Sequence, residues 1–261
     1  MDAMSAVITV IAVAIGLAVG SFLNVCIDRL PKKDSLVSGR SHCDSCGREL
    51  RPAELVPVLS YVVLKGRCRT CGARIPARVV LVEAATGALF GVLVAVYGVT
   101  SAAVVLAIYG CILLVVFVID LDHKLILNAV VYPSIILALA VAAIVPPPWL
   151  GSIGPIPLVS AILGAVTGFG LLFVIALVAR GGMGWGDVKF AAFMGAATGF
   201  PLVIVALFVG IVVGGLAGIL LLVTGKKGRK QGIPFGPFLA IGTMAAMLWG
   251  PQMLAWYLGM M

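Results

Sequence analysis

Charge is scarce in this sequence. Only 11% of its side chains are Asp, Glu, Lys or Arg, 62% are hydrophobic, and the mean hydropathy is +1.21. A water-soluble domain of 261 residues cannot hide so much apolar surface, which excludes a soluble fold and predicts an all-α polytopic membrane protein. A nucleic-acid partner is excluded for a related reason. The net charge is +8, but the basic residues fall in loops between apolar spans rather than on the face of a soluble fold. No basic stretch precedes the first apolar run, residues 6–25, only Asp2, so a retained membrane helix is expected rather than a cleaved signal peptide. Low-complexity segments and convincing internal repeats are also lacking. Cysteine is sparse, with six in the chain.

What is present is a series of apolar runs, at about 5–25, 79–98, 101–119, 126–145, 157–179, 187–200, 201–223 and 235–257. Most approach the ~20 residues that cross a bilayer; 187–200 is short and meets Pro201 at once. Gly210, Gly214, Gly215 and Gly218 form a small-residue pattern that predicts close helix packing. Every Lys and Arg falls in the loops at 28–78, 120–125, 180–187 and 225–231, or at the helix mouths beside them. The connections at 98–101, 146–157 and 199–201 and the C-terminal end carry none. Eight spans keep this segregation, whereas seven or nine break it. Both termini are therefore expected outside and the basic loops in the cytoplasm. Three parts follow: a first transmembrane helix (1–27), a small cytoplasmic four-cysteine domain (28–78) and a seven-helix membrane core (79–261).

Four of the cysteines form the pairs Cys43-Asp-Ser-Cys46 and Cys68-Arg-Thr-Cys71, about 21 residues apart. Four thiolates at this spacing suit tetrahedral Zn²⁺, with Gly47 and Gly72 permitting the turn each knuckle needs. Two disulfides or a redox pair are the alternatives, which a reducing cytoplasm disfavours. A loop of this size has little core of its own, and a structural metal is a common remedy. His42 reads as a surface histidine, and Cys26 and Cys111 as small packing residues.

Carboxylates at helix mouths are expensive in a membrane and suggest function. Asp187 stands in Gly184-Trp185-Gly186-Asp187-Val188-Lys189, and Asp120 stands where the apolar run 108–119 gives way to Asp-Leu-Asp-His-Lys. The topology puts both on the cytoplasmic side. Asp122, two residues from Asp120, would point elsewhere on a helix. If Asp120 and Asp187 approach, they share a proton and can act as acid and base on a peptide bond. The competing reading pairs either with Lys124 or Lys189 and merely fixes a loop. Asp28 is expected to pair with Arg29. Glu83, one turn inside an apolar stretch, must face a partner or an aqueous cavity, whether as a structural hydrogen bond or as a substrate contact.

Taken together, Gly20-Ser-Phe-Leu-Asn-Val25, Arg29-Leu-Pro31, the two Cys-x-x-Cys pairs, Ile119-Asp-Leu-Asp-His123, Gly184-x-Gly-Asp187 and Ile233-Pro-Phe-Gly-Pro-Phe238 resemble the type IV prepilin peptidases, or leader peptidase/N-methyltransferases. The resemblance spans nearly the whole chain. It implies an aspartic protease of the bacterial inner membrane with Asp120 and Asp187 as catalytic pair and Cys43, Cys46, Cys68 and Cys71 as zinc-type ligands. The implied substrates are type IV prepilins or type II secretion pseudopilins, cut after a glycine and usually ahead of Phe or Met. Many members also methylate the new N-terminus with S-adenosylmethionine, and the glycine linked to that activity falls on Gly66. No glycine-rich strand-to-helix nucleotide motif supports that cofactor independently. Anionic lipid head groups are expected to hold the basic loops near the surface. Two departures stand out. Ile126-Leu127-Asn128 lacks a proline common in relatives, which is expected to alter how the next span begins, and the first knuckle lacks the proline that often follows its first cysteine. An ion-coupled carrier using the two aspartates as cation ligands, and a noncatalytic scaffold docking partners through the cysteine loop, are the alternatives from other classes.

Overall fold

The computed structural model describes residues 3–151, 156–178, 183–224 and 233–259. The basic loop 225–231 and residues 180–182 of the loop at 180–187, Arg180 among them, therefore lie outside the described residues. The described residues contain helices and two isolated antiparallel bridges, but no strand. Six helices are long and apolar enough to cross a membrane. They are α1 (Ala3–Arg29), α3 (Ala77–Tyr97), α4 (Ser101–His123), α7 (Pro157–Val178), α9 (Leu202–Val223) and α10 (Gly236–Tyr257). The other two apolar runs are helices as well but shorter: α5 (Asn128–Ile144) and α8 (Trp185–Thr198). The short helices α2 (Leu59–Val63) and α6 (Pro148–Gly151) complete the set. The protein is an all-α polytopic membrane protein.

The chain divides into two compact units, 1–111 and 112–261, with the boundary inside α4. In the first unit, α1 packs along α3. Four glycines set how closely. A Cβ added to Gly16 or Gly20 of α1 would lie 2.7 Å from Thr86 O or Glu83 Cα, and one on Gly87 or Gly91 of α3 would lie 2.7 or 2.6 Å from Leu17 or Val13 side-chain carbons. Without lipid-excluding force between helices, such backbone proximity supplies the van der Waals contact that holds the pair. Between these helices in sequence lies the four-cysteine segment, which carries α2 and a 3-10 turn at Pro52–Glu54.

In the second unit the short α8 is the centre. Nine of its 14 residues are buried, and it packs on α5, α7, α9 and α10. At a rise of 1.5 Å per residue it is about 21 Å long, less than a bilayer core, and only burial among other helices accounts for such a segment. Its contact with α7 is close enough to forbid side chains: a Cβ on Gly195 would lie 1.9 Å from Gly164 O. Gly199, at φ +75°, ends the helix. There the Phe200 N–H donates to Ser160 O and the Ser160 hydroxyl donates to Phe200 O, both at 2.9 Å. The indole N–H of Trp149 donates to Ala197 O at 2.9 Å, satisfying one of the carbonyls a helix C-terminus leaves over.

The glycines of α9 divide by face. Gly210 and Gly214, four apart and so on one face, meet Phe238 of α10, while a Cβ on Gly215 meets nothing within 4 Å and one on Gly218 meets only Ile233 at 3.6 Å. Only the first two close a helix contact, since a one-residue step turns a side chain about 100° around the axis.

Candidate functional site

Helix α4 does not stop where its apolar run ends. It continues through Asp120 to His123, and this last turn separates the two acidic residues as their spacing predicts: Asp120 is 5% exposed, Asp122 exposed. Asp187 lies in the first turn of α8, where its own N–H donates to Gly184 O at 3.1 Å. The structure brings Asp120 and Asp187 within electrostatic reach of one another. Gly236, the first residue of α10, donates its N–H to Asp120 Oδ2 at 2.9 Å. Three helix ends that are distant in sequence thus meet at one place.

The glycines of this site act by lacking a side chain. A Cβ on Gly236 would fall 2.8 Å from Asp120 Oδ2, and one on Gly184 would fall 3.1 Å from Asp187 Oδ2. Ile126 is a residue the sequence reading missed. A Cβ on Gly186 would lie 2.8 Å from Ile126 Cβ, and one on Gly236 would lie 3.2 Å from Ile126 Cδ1. Ile126 therefore packs against both glycines that flank the aspartates. Its only sequence signal was position, between the first aspartate and the start of α5.

Neither aspartate forms an ion pair among the described residues. Lys189 turns elsewhere: its ammonium donates to Asn128 Oδ1 at 3.2 Å and lies 5.7 Å from the Tyr132 ring centroid. Leu127, standing where relatives have proline, has φ −80° and ψ 128°, close to the geometry a proline ring imposes. The backbone at Leu127 is therefore compatible with a proline at this position.

The four paired cysteines also converge. Their Sγ atoms all lie within 4.8 Å of one another, and those of Cys43 and Cys71 are 3.8 Å apart. A disulfide needs about 2.05 Å, and all six cysteines are free. Four sulfurs at about 2.3 Å from a tetrahedral ion stand about 3.8 Å from each other, so the set could hold a metal ion. The two knuckles repeat one another bond for bond. Cys43 N–H donates to Arg48 O and Gly47 N–H to Cys43 O; Cys68 N–H donates to Ala73 O and Gly72 N–H to Cys68 O. Leu50 N–H to Ser41 O and Ile75 N–H to Gly66 O close each ribbon, and Gly47 and Gly72 have φ near +70°. This is a local structural repeat that the sequence, with little identity outside Cys-x-x-Cys-Gly, did not display. Backbone N–H groups of Cys71 and Thr70 aim at Cys68 and pull its thiol down to about 6; those of Cys46 and Ser45 lower Cys43. At Cys71 the Ala73 amide pulls the same way, but burial and the neighbouring thiols push the group up to about 11. Amides directed at sulfur are what a thiolate cluster requires. His42 stays outside it, exposed and bridged to Glu49.

Arg48 braces this module from within, its guanidinium donating twice to Glu54 at 2.8 and 3.0 Å. Asp28 pairs with Arg78, not with its neighbour Arg29, whose guanidinium instead binds the carbonyls of Ser35, Ser38 and Gly39. Glu83, 6% exposed, accepts the Val58 N–H at 2.7 Å. Gly66, at φ +66°, lies under Tyr61: a Cβ there would be 2.9 Å from the phenol oxygen.

Residues 14–97 match the bacterial peptidase A24 N-terminal domain, and residues 107–219 match the type IV leader peptidase family. A prepilin leader peptidase/N-methyltransferase of Bacillus subtilis (strain 168) is 33% identical, covering 94% of this chain and 96% of its own. Proteins of the same name from Pseudomonas putida and Pseudomonas aeruginosa are each 34% identical over 94% of this chain and 92% of theirs. No solved structure matches. With aspartates assembled from α4 and α8, a four-thiol module and relatives matched along nearly their full length, the chain belongs to the type IV leader peptidase family.

Proposed function

We propose that this protein is an aspartic endopeptidase of the bacterial inner membrane that removes the leader of type IV prepilins or pseudopilins and then methylates the new N-terminus. The observation that carries the reading is the meeting of Asp120 with Asp187 at two helix ends, with no basic side chain paired to either among the described residues. Two carboxylates that feel one another's charge in a site of low polarity ionise one at a time, so the pair holds one proton. The ionised member takes a proton from the attacking water, and the protonated member donates to the carbonyl oxygen of the scissile peptide. Each aspartate accepts a backbone N–H, Asp120 from Gly236 and Asp187 from Gly184, so either can carry the shared charge.

Segregation of Lys and Arg supports cytoplasmic loops at 28–78, 120–125, 180–187 and 225–231, with both termini outside. On that topology the pair would lie at the inner surface, where a prepilin's basic leader meets its apolar helix. Zn²⁺ held by Cys43, Cys46, Cys68 and Cys71 would fix the cytoplasmic module, and anionic lipids would hold the basic loops. S-adenosylmethionine would supply an electrophilic methyl group, with Gly66 and Glu83 on the side of the molecule that uses it.

The test is cleavage of a prepilin in liposomes by wild type, Asp120→Asn and Asp187→Asn. Loss of leader removal in both variants, with each still inserted and folded, is the expected result. A single variant that cuts at the wild-type rate overturns the pair.

A further inference from the structure

The first unit contains a cavity of about 240 Å³ between α1, α3 and the four-cysteine module, its wall mixed polar and apolar. Two buried acceptors line it from adjoining helices. Asn24 of α1 is 6% exposed; its Nδ2 donates to Val79 O at 3.0 Å, which fixes the amide's orientation and leaves Oδ1 buried without a hydrogen-bond partner. An orphan acceptor of this kind is rare in a folded protein and calls for a donor. Glu83 of α3 gives Oε2 to the Val58 N–H but forms no ion pair among the described residues. The other carboxylates of the lining differ: Asp28 and Glu54 each hold an arginine, and Asp44 is exposed. A buried carboxylate without a cation is costly unless the cation arrives with a ligand.

One carboxylate and one unpaired amide oxygen ask for a small, positively charged group rich in N–H donors. We infer that this cavity is an amine subsite, which holds the free N-terminal ammonium of the processed chain between Glu83 and Asn24 Oδ1. The inference rests on the methylation part of the function proposed above. Nitrogen must present a lone pair for methyl transfer. One ammonium proton passes to the Glu83 carboxylate, and the freed nitrogen pair forms the C–N bond to the methyl group as the donor's C–S bond breaks, sulfur keeping the electrons of the C–S bond. The methylated nitrogen retains two N–H bonds, one of which still reaches Asn24 Oδ1. Gly66 belongs to the same arrangement through Tyr61, which also lines the cavity: a side chain at Gly66 would displace the phenol it underlies.

The experiment uses the full chain in nanodiscs and a short peptide opening on phenylalanine, with a free α-amine or N-acetylated. Wild type should bind the free amine about tenfold or more tightly than the acetylated form, the scale of a hydrogen-bonded charge. Glu83→Gln, which keeps an acceptor for Val58, should erase that preference, with an unchanged melting temperature and unchanged trypsin resistance of the cysteine module certifying the fold. Asn24→Ala should weaken binding of the free amine. Equal affinity for the two peptides in wild type, or a preference unchanged in Glu83→Gln, overturns the subsite. Mass analysis of cleaved pilin is separate: wild type that prefers the free amine yet transfers no methyl group sinks the methylation reading and leaves the amine subsite standing.

Discussion

Gly236 gives its backbone N–H to the carboxylate of Asp120 from the far end of the sequence, and does so at a position where no side chain fits. A Cβ there would sit 2.8 Å from Oδ2. Gly236→Ala must move Asp120, α10 or both, whereas the helix itself would welcome alanine over glycine. We expect unchanged or slightly raised thermal stability with a drop in leader cleavage of tenfold or more, because misplacing a reacting group by about 1 Å costs on the order of 10²-fold. Cleavage rate set against melting temperature checks this. Full activity would mean that the Asp120–Gly236 bond does no catalytic service.

Lys189 is two residues from Asp187, and the sequence offers it as the natural counter-ion. The structure gives its ammonium to Asn128 and the Tyr132 ring instead. Lys189→Met should therefore reduce cleavage by less than about fivefold, the range of a partly exposed polar contact. A loss as deep as that of Asp187→Asn would show that the lysine serves the aspartate after all.

These two contacts also mark how far the sequence can be read. All eight apolar runs are helices, because a stretch lacking charge in a membrane has no other way to satisfy its backbone. Asp120 and Asp187 were legible because a carboxylate at a helix mouth is conspicuous among apolar neighbours. Their partners were not. Ile126 and Gly236 act through shape and a backbone N–H, neither of which leaves a compositional trace. The pairing of Asp28 with Arg78 rather than Arg29 depends on how α1 meets α3, a tertiary fact. The repeat of the two knuckles lies in hydrogen bonds that many sequences can form, so only the cysteines and glycines announced it.

Leu127 holds proline-like dihedrals and its N–H makes no hydrogen bond among the described residues. Leu127→Pro should accordingly be tolerated and raise stability by about 0.4–1 kcal/mol through the unfolded state. Chemical denaturation in detergent and a cleavage assay measure both sides. A destabilised or inactive variant would show that the leucine side chain, not the backbone, matters at this turn.

The sulfur cluster predicts one zinc ion per chain, counted by metal analysis of purified protein. Cys68→Ser should lose that ion, since three thiolates and a hydroxyl make a poorer site. Without it, the segment from 40 to 76 should be cut readily by trypsin, because metal binding is folding energy for a module with little core. A stoichiometric metal content that survives Cys68→Ser, or a trypsin-resistant metal-free segment, would remove the structural role proposed for the metal.

Glu54 offers a test of the same module that leaves the thiols alone. The Arg48 guanidinium, and after it the Arg51 N–H, hold its carboxyl at about 2, below the usual 4.5. A carboxylate depressed in the folded state contributes stability that is fully present above its unfolded value and fades as pH falls through its folded one. The stability difference between wild type and Glu54→Gln should therefore be constant from neutral pH to about 4.5, then shrink towards pH 2. Urea unfolding followed by circular dichroism, with both proteins compared at each pH, gives the profile; a difference independent of pH would mean that Arg48 is held by shape rather than by the charge of Glu54.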